Sequence, residues 1–230
     1  MASDSRQSIT IERKGQADKS FKVETVNSDN VMKTFLVEEH SIGISTFGVD
    51  LLDGAPMSSH IERFLEEEST NLESVASMPD KLVAYLRKSF PNVDVGFHIC
   101  GYMKTGKVSV PHVYHCHVSQ NIVERKNVKP DGAIAYGALW SGQIDIITSI
   151  VNPVMAKDAS GADKVLRAPA PILWNAMTIQ DAIDFSVYAI WTTIKTMRFQ
   201  ARPKNVGGPI DILVLTPHGA RWIGKKELHA

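Results

Sequence analysis

Val93-Asp94-Val95-Gly96-Phe97-His98-Ile99-Cys100-Gly101-Tyr102, then Lys104-Thr105-Gly106-Lys107, then His112-Val113-Tyr114-His115-Cys116-His117-Val118, reads as two strands joined by a tight turn. Working outward, the first fifty residues also read as strands. Ser8 to Ile11 and Phe21 to Val26 are short, β-branched and roughly alternating, and Met32 to Val37 and Ile42 to Phe47 continue the pattern. Their expected product is an antiparallel meander, with Gly43 and Gly48 at bends or close backbone approaches. From Ser58 to Glu68 the apolar residues shift to helical spacing on a charged segment. A second helix is expected from about Pro79 to Pro91-Asn92, with Leu82, Tyr85, Leu86 and Phe90 as its stripe.

Downstream, Lys129-Pro130-Asp131-Gly132 predicts a turn into a strand over Ala133 to Leu139. Ser141 to Val151 predicts a third helix, and Lys157 to Ala170, rich in Ala, Gly, Asp and Pro, a surface loop. The clearest helix follows. Thr178 with Asp181 three residues on resembles a capping box, and Ile179, Ala182, Ile183, Val187, Ile190, Ile194 and Met197 then recur at helical spacing. Pro209 to Thr216 and Ala220 to Ile223 close the chain as a hairpin. Strands, two helices, strands, two helices and two strands make an α+β chain. Two antiparallel sheets flanked by helix pairs, a four-layer αββα sandwich, satisfy that order within one domain over residues 1–230.

Composition narrows the function classes. Lys+Arg and Asp+Glu are equal at 25 each, so no basic excess points to nucleic acid. No run is long and apolar enough to suggest a membrane span. Cys100 and Cys116 make no disulfide framework, and with no secretory leader a reduced cytoplasmic setting is expected. His98, Cys100, His115 and His117 would share a face of the central hairpin. Their spacing matches no familiar zinc pattern, so no metal or other cofactor is expected.

The motifs carry a resemblance. Ala2-Ser3-Asp4-Ser5-Arg6 looks like the Ala-Ala-Asp-Ser-Arg stretch of proteasome β subunits, and Phe21-Lys22-Val23 like their lysine-bearing strand. Phe97 to Tyr102 with Pro111-His112-Val113-Tyr114 resembles their central hairpin. Trp140-Ser141-Gly142 is similar to their turn into the third helix, and Val206-Gly207-Gly208-Pro209 to their closing glycine pair. By order and spacing the chain resembles the proteasome-like N-terminal-nucleophile hydrolases over nearly its whole length.

The resemblance implies hydrolysis of peptide or amide bonds by a Thr, Ser or Cys at a mature N-terminus, whose α-amine serves as base. It implies that Lys22 lowers the nucleophile's pKa, that Asp4 pairs with Lys22, and that Ser141 relays protons. Arg6 would brace the turn against a carboxylate, and a backbone N–H at Gly48, or at Gly43, would bind the oxyanion. Gly142, Gly207 and Gly208 would shape the site, and the partners would be a peptide or amide substrate and further copies in a ring or cage.

Two departures stand against activity. Only Met1, Ala2 and Ser3 precede Asp4, and Ser3 is too close to it to act, so no residue is assigned as nucleophile. Pro203 and Val206 replace the family's supporting aspartate and serine. Two explanations fit the first: Met1 is an internal start of a longer protein, or a truncated relative keeps the fold as a non-catalytic scaffold. Without the family pattern, Asp4 and Lys22 read as a plain salt bridge and Ser141 as a helix N-cap.

Overall fold

The computed structural model describes residues 1–14, 20–68 and 74–227, without the side chains of residues 13, 14 and 20–22. The elements in order are β1 (Ala2–Ser3), β2 (Gln7–Lys14), β3 (Ser20–Ser28), β4 (Thr34–Val37), β5 (Ile42–Gly48), β6 (Leu51–Leu52) and β7 (Ala55–Pro56). Helices α1 (Met57–Glu68) and α2 (Met78–Ser89) follow, then β8 (Val95–Thr105), β9 (Val108–His117) and β10 (Ile122–Arg125). The rest is α3 (Asp145–Val151), β11 (Val154–Lys157), β12 (Asp163–Arg167), α4 (Ile179–Met197), β13 (Asp211–Thr216) and β14 (Gly219–Gly224). The chain is mixed α+β, with antiparallel pairing throughout the described strands.

The main sheet has five strands in the order β10-β9-β8-β5-β4, and the β8–β9 hairpin at its centre is the one read from Val93 to Val118. Strand alternation sorts this sheet into two unlike faces. Ile42 and Ile44 of β5, Phe97 and Ile99 of β8 and Cys116 of β9 point one way. They form a single buried cluster with Phe64 of α1 and with Leu82 and Leu86 of α2. Each fully buried Leu or Phe there contributes about 2 to 3 kcal/mol of apolar burial. The opposite face carries Gly43, Ser45 and Phe47, with Gly96, His98 and Cys100 beside them and His115 and His117 beyond.

A second sheet, in the order β1-β13-β14, lies over that polar-edged face. Gly43 makes the close approach possible. A Cβ there would lie 2.5 Å from Met1 Sδ and 3.0 and 3.1 Å from methyls of Leu215 and Leu213. Helix α4 touches both β1 and α3. Its N-terminus is a full capping box: Thr178 Oγ1 accepts from Asp181 N at 3.1 Å, and Thr178 N donates to Asp181 Oδ2 at 2.8 Å.

Several expectations are corrected. The first strands are not one meander: among the described residues β2 and β3 pair only with each other, as a ribbon, whereas β4 and β5 join the main sheet. Ala133 to Leu139 is not a strand, apart from one bridge between Val128 and Ile134. Pro130-Asp131-Gly132 completes its turn, with Gly132 N donating to the Lys129 carbonyl at 2.9 Å, but no ladder follows it among the described residues. The expected loop at Lys157 to Ala170 holds half of the β11–β12 hairpin, whose turn at Asp158-Ala159-Ser160-Gly161 is organised by Asp158. Helix α3 starts at Asp145 with Ile144 as N-cap, so Ser141 caps nothing.

Candidate functional site

Between the polar-edged face of the main sheet, β1 and α4 lies a cavity of about 1050 Å³. Its floor comes from β5 and β8 (Ser45, Phe47, His98, Cys100), one wall from the N-terminal residues, and another from the loop Gly137–Ile144. Phe185, Ala189 and Ile190 on the inner face of α4 close it with an apolar surface. Among described residues of α4 only Thr193 and Met197 are buried, because its apolar stripe faces open space.

Asp4 is the most heavily engaged group in the wall. Its Oδ2 accepts from the backbone N–H of Arg6 at 3.1 Å and of Gly207 at 3.0 Å. Its Oδ1 accepts from Lys33 Nζ at 3.0 Å, and Lys33 also donates to the Arg6 carbonyl at 2.5 Å. The side chains of Asp4 and Lys33 are each 15% exposed. Asp50 stands close enough to feel both: burial raises its carboxyl pKa above the ordinary value, Lys33 opposes that rise, and Asp4 adds to it.

The ammonium partner of Asp4 is therefore Lys33, not the expected Lys22. Lys22 lies opposite Glu12 in the β2–β3 ribbon, roughly 20 Å along the strand from Ser28, and its side chain is outside the described residues. Only the structure shows the connection: Lys33 directly precedes Thr34, whose Oγ1 donates to Ser3 Oγ at 2.8 Å, so the two chain segments run together. What hid it was the ribbon, which places many residues between Asp4 and its partner without moving the chain away.

Arg6 forms a two-pronged pair with Asp29, Nε to Oδ1 at 2.6 Å and Nη2 to Oδ2 at 2.8 Å, and donates to the Lys204 carbonyl at 2.8 Å. This ties β1 to the approach to β13. Gly207 lies directly against the Arg6 guanidinium: a Cβ there would come within 2.5 to 2.8 Å of it and displace that group. Gly208, at φ +73°, passes against the carbonyl of Asp29. Gly48 lines the cavity at φ +91°, where β5 ends against the Asp94 carbonyl. Gly43 instead lies beneath Met1 and Leu213.

Ser141 and Gly142 are on the cavity loop, Gly142 at φ +87°. Ser141 Oγ lies 3.0 Å from His98 Nε2, a pairing the sequence reading missed. The loop is held on both sides of Ser141. Trp140 Nε1 donates to Thr148 Oγ1 of α3 at 3.2 Å, and the Gln143 side chain accepts from Arg202, which also pairs with Asp145. His98 packs against Phe47 and His115, with ring centroids at 5.1 and 5.6 Å. Burial, and secondarily His115, push its pKa down to about 4, so the ring is neutral at pH 7. Burial raises the Cys100 thiol to about 11, which keeps it protonated. Among the described residues no three His, Cys, Asp or Glu side chains are grouped as a metal ion would require.

One buried polar atom of a lining residue, Asn205 Oδ1, has no hydrogen-bond partner among the described residues. Such atoms are costly unless something from the cavity meets them. No family model and no curated protein matches the chain.

Proposed function

We propose that the cavity is the site of a peptide- or amide-bond hydrolase of the proteasome-like, N-terminal-nucleophile kind, on a four-layer αββα arrangement. The observation that carries this reading is the Asp4–Lys33 pair on the cavity wall. Two of the three Lys33 ammonium hydrogens are committed, to Asp4 and to the Arg6 carbonyl. The third is left to hold positive charge toward an adjacent hydroxyl or thiol and lower its pKa. The cavity's volume, its apolar α4 wall and the unpartnered Asn205 atom suit an extended peptide better than a small solute. Arg202 pairs with Gln143 and Asp145 where the family has an Arg-Asp pair, so the proton handling near the amine is supported differently in this chain.

Homo-oligomerisation and a cytoplasmic setting belong to the same proposal. Exposed Tyr188 and Trp191 on α4, and exposed Val165 and Leu166 on β12, suit burial against further copies. Cys100 and Cys116 are free thiols, as a reducing compartment keeps them. No helix among the described residues is long and apolar enough to cross a membrane.

The test uses protein isolated from its native host, treated with a peptide β-lactone and a peptide epoxyketone. A covalent adduct on an N-terminal residue, lost in Lys33→Ala, is expected. No adduct with either probe sinks the proposal and favours a non-catalytic scaffold. That second reading is favoured by one observation: Ser3 Oγ is nine-tenths buried and already hydrogen-bonded to Thr34.

A further inference from the structure

The Ser141–His98 contact is not used by the amide-hydrolase reading, which assigns Ser141 only a proton relay and His98 nothing. From the geometry we infer that Ser141 and His98 form a separate acyl-transfer dyad, with Ser141 Oγ as nucleophile and His98 Nε2 as base, acting on esters with an apolar acyl group. Three features of the site carry this.

The first is the 3.0 Å separation of Ser141 Oγ and His98 Nε2 within the cavity lining, which is the reach that proton transfer needs. Both groups are held in place. His98 sits in β8, the middle strand of the main sheet, paired across to Ser45 and His115. Ser141 lies between Trp140 and Gln143, each tied down by its own side-chain hydrogen bond.

The second is the backbone after the serine. Among the described residues, the N–H groups of Gly142 and Gln143 donate to no acceptor. They are thus free to bind an oxyanion formed beside Ser141. The third is the wall of the same cavity: Phe185, Ala189 and Ile190 of α4, with Trp174 edge-on to Phe185 at 5.0 Å, offer an apolar surface for an acyl chain.

The step balances with water as the only co-reactant. Ser141 Oγ bonds to the acyl carbon while its proton moves to His98 Nε2. The ester C–O bond breaks, and the departing oxygen takes that proton. Water then attacks the acyl-serine carbonyl, gives a proton to His98, and the carboxylic acid leaves as His98 returns the proton to Ser141 Oγ. The neutral His98 ring is the form that accepts the proton, and an ester's alkoxide leaves more readily than an amide nitrogen. The dyad is thus an esterase-type site, whatever the outcome for amide hydrolysis.

The experiment treats the purified chain with an alkyl fluorophosphonate and with p-nitrophenyl butyrate, reading intact mass, adduct position and the release of nitrophenol. One phosphonyl adduct on Ser141 is expected, absent in Ser141→Ala. His98→Asn should slow labelling at least about 100-fold, the usual contribution of a positioned base. Thermal melting of each variant checks folding, and Ser141→Ala, at a half-buried loop position, keeps the test open if His98→Asn does not fold. No adduct, an adduct elsewhere, or equal labelling of His98→Asn and parent overturns the dyad.

Discussion

Replacing Lys33 by Met removes the ammonium that Asp4 Oδ1 and the Arg6 carbonyl accept from, while Asp4 keeps the N–H groups of Arg6 and Gly207. The pair is only slightly exposed, so its loss should destabilise the fold by about 2 kcal/mol in urea denaturation, short of the cost of breaking a fully dry pair. The same variant should raise the pKa of Asp50 further, since Lys33 is what holds it down, and carboxyl NMR titration reads this directly. His98 makes a prediction of opposite sign in pH. Its folded pKa is depressed from 6.5 to about 4, so the unfolded chain takes up a proton first as pH falls. Its contribution is complete above pH 6.5 and is lost between 6.5 and 4, about 3 kcal/mol at 1.4 kcal/mol per unit. His112 and His115, lowered mainly by burial, act in the same direction. Denaturation at pH 7, 5.5 and 4 should show a shallower acid loss in His98→Asn than in the parent, and identical pH dependence would contradict the assignment. The His98 pairing was illegible in sequence, because strand alternation tells which residues share a face and not which loop comes to rest on it.

At the scale of elements, α4 is the best-written segment and also the one whose setting was misjudged. Thr178 and Asp181 are a capping box both in sequence and in structure, and the helical spacing from Ile179 to Met197 holds throughout. Thr178→Ala should therefore cost about 1 kcal/mol, measured by chemical denaturation with an unchanged slope. What the spacing could not say is that this apolar stripe lines a cavity instead of a filled core. The β2–β3 ribbon makes the same point from the strand side. Its residues alternate as strand residues should, yet among the described residues it pairs with nothing else, and that detour moved the lysine beside Asp4 from position 22 to 33.

Across the whole molecule, the chain's two ends are tied together. Lys226 Nζ pairs with Asp211 and donates to Ser5 Oγ at 2.8 Å, and Lys226 N donates to Asp211 Oδ1 at 2.8 Å. The two side chains are 3% and 1% exposed. Removing one partner, as in Lys226→Met, strands a dry carboxylate and should cost 3 to 5 kcal/mol or about that. Asp211→Leu with Lys226→Met together should cost far less, and calorimetry of the single and double variants tests the difference. The exposed apolar residues of α4 and β12 predict assembly. Light scattering should find a species larger than 25.4 kDa, shifted toward monomer by Trp191→Glu; a monomeric parent would remove the oligomer from the proposal.

By itself the sequence determined the local elements with strong periodic or turn signals: the β8–β9 hairpin, helices α1, α2 and α4, the α4 cap and the closing β13–β14 hairpin. These follow from side-chain alternation, helical spacing and turn chemistry, which are properties of neighbouring residues. Only the tertiary structure decided that Lys33 meets Asp4, that Ser141 meets His98, that Arg6 packs on Gly207, and that α4 faces a cavity. Each of these joins residues far apart in the chain, and such a meeting depends on how whole sheets and loops stack, which no local pattern encodes.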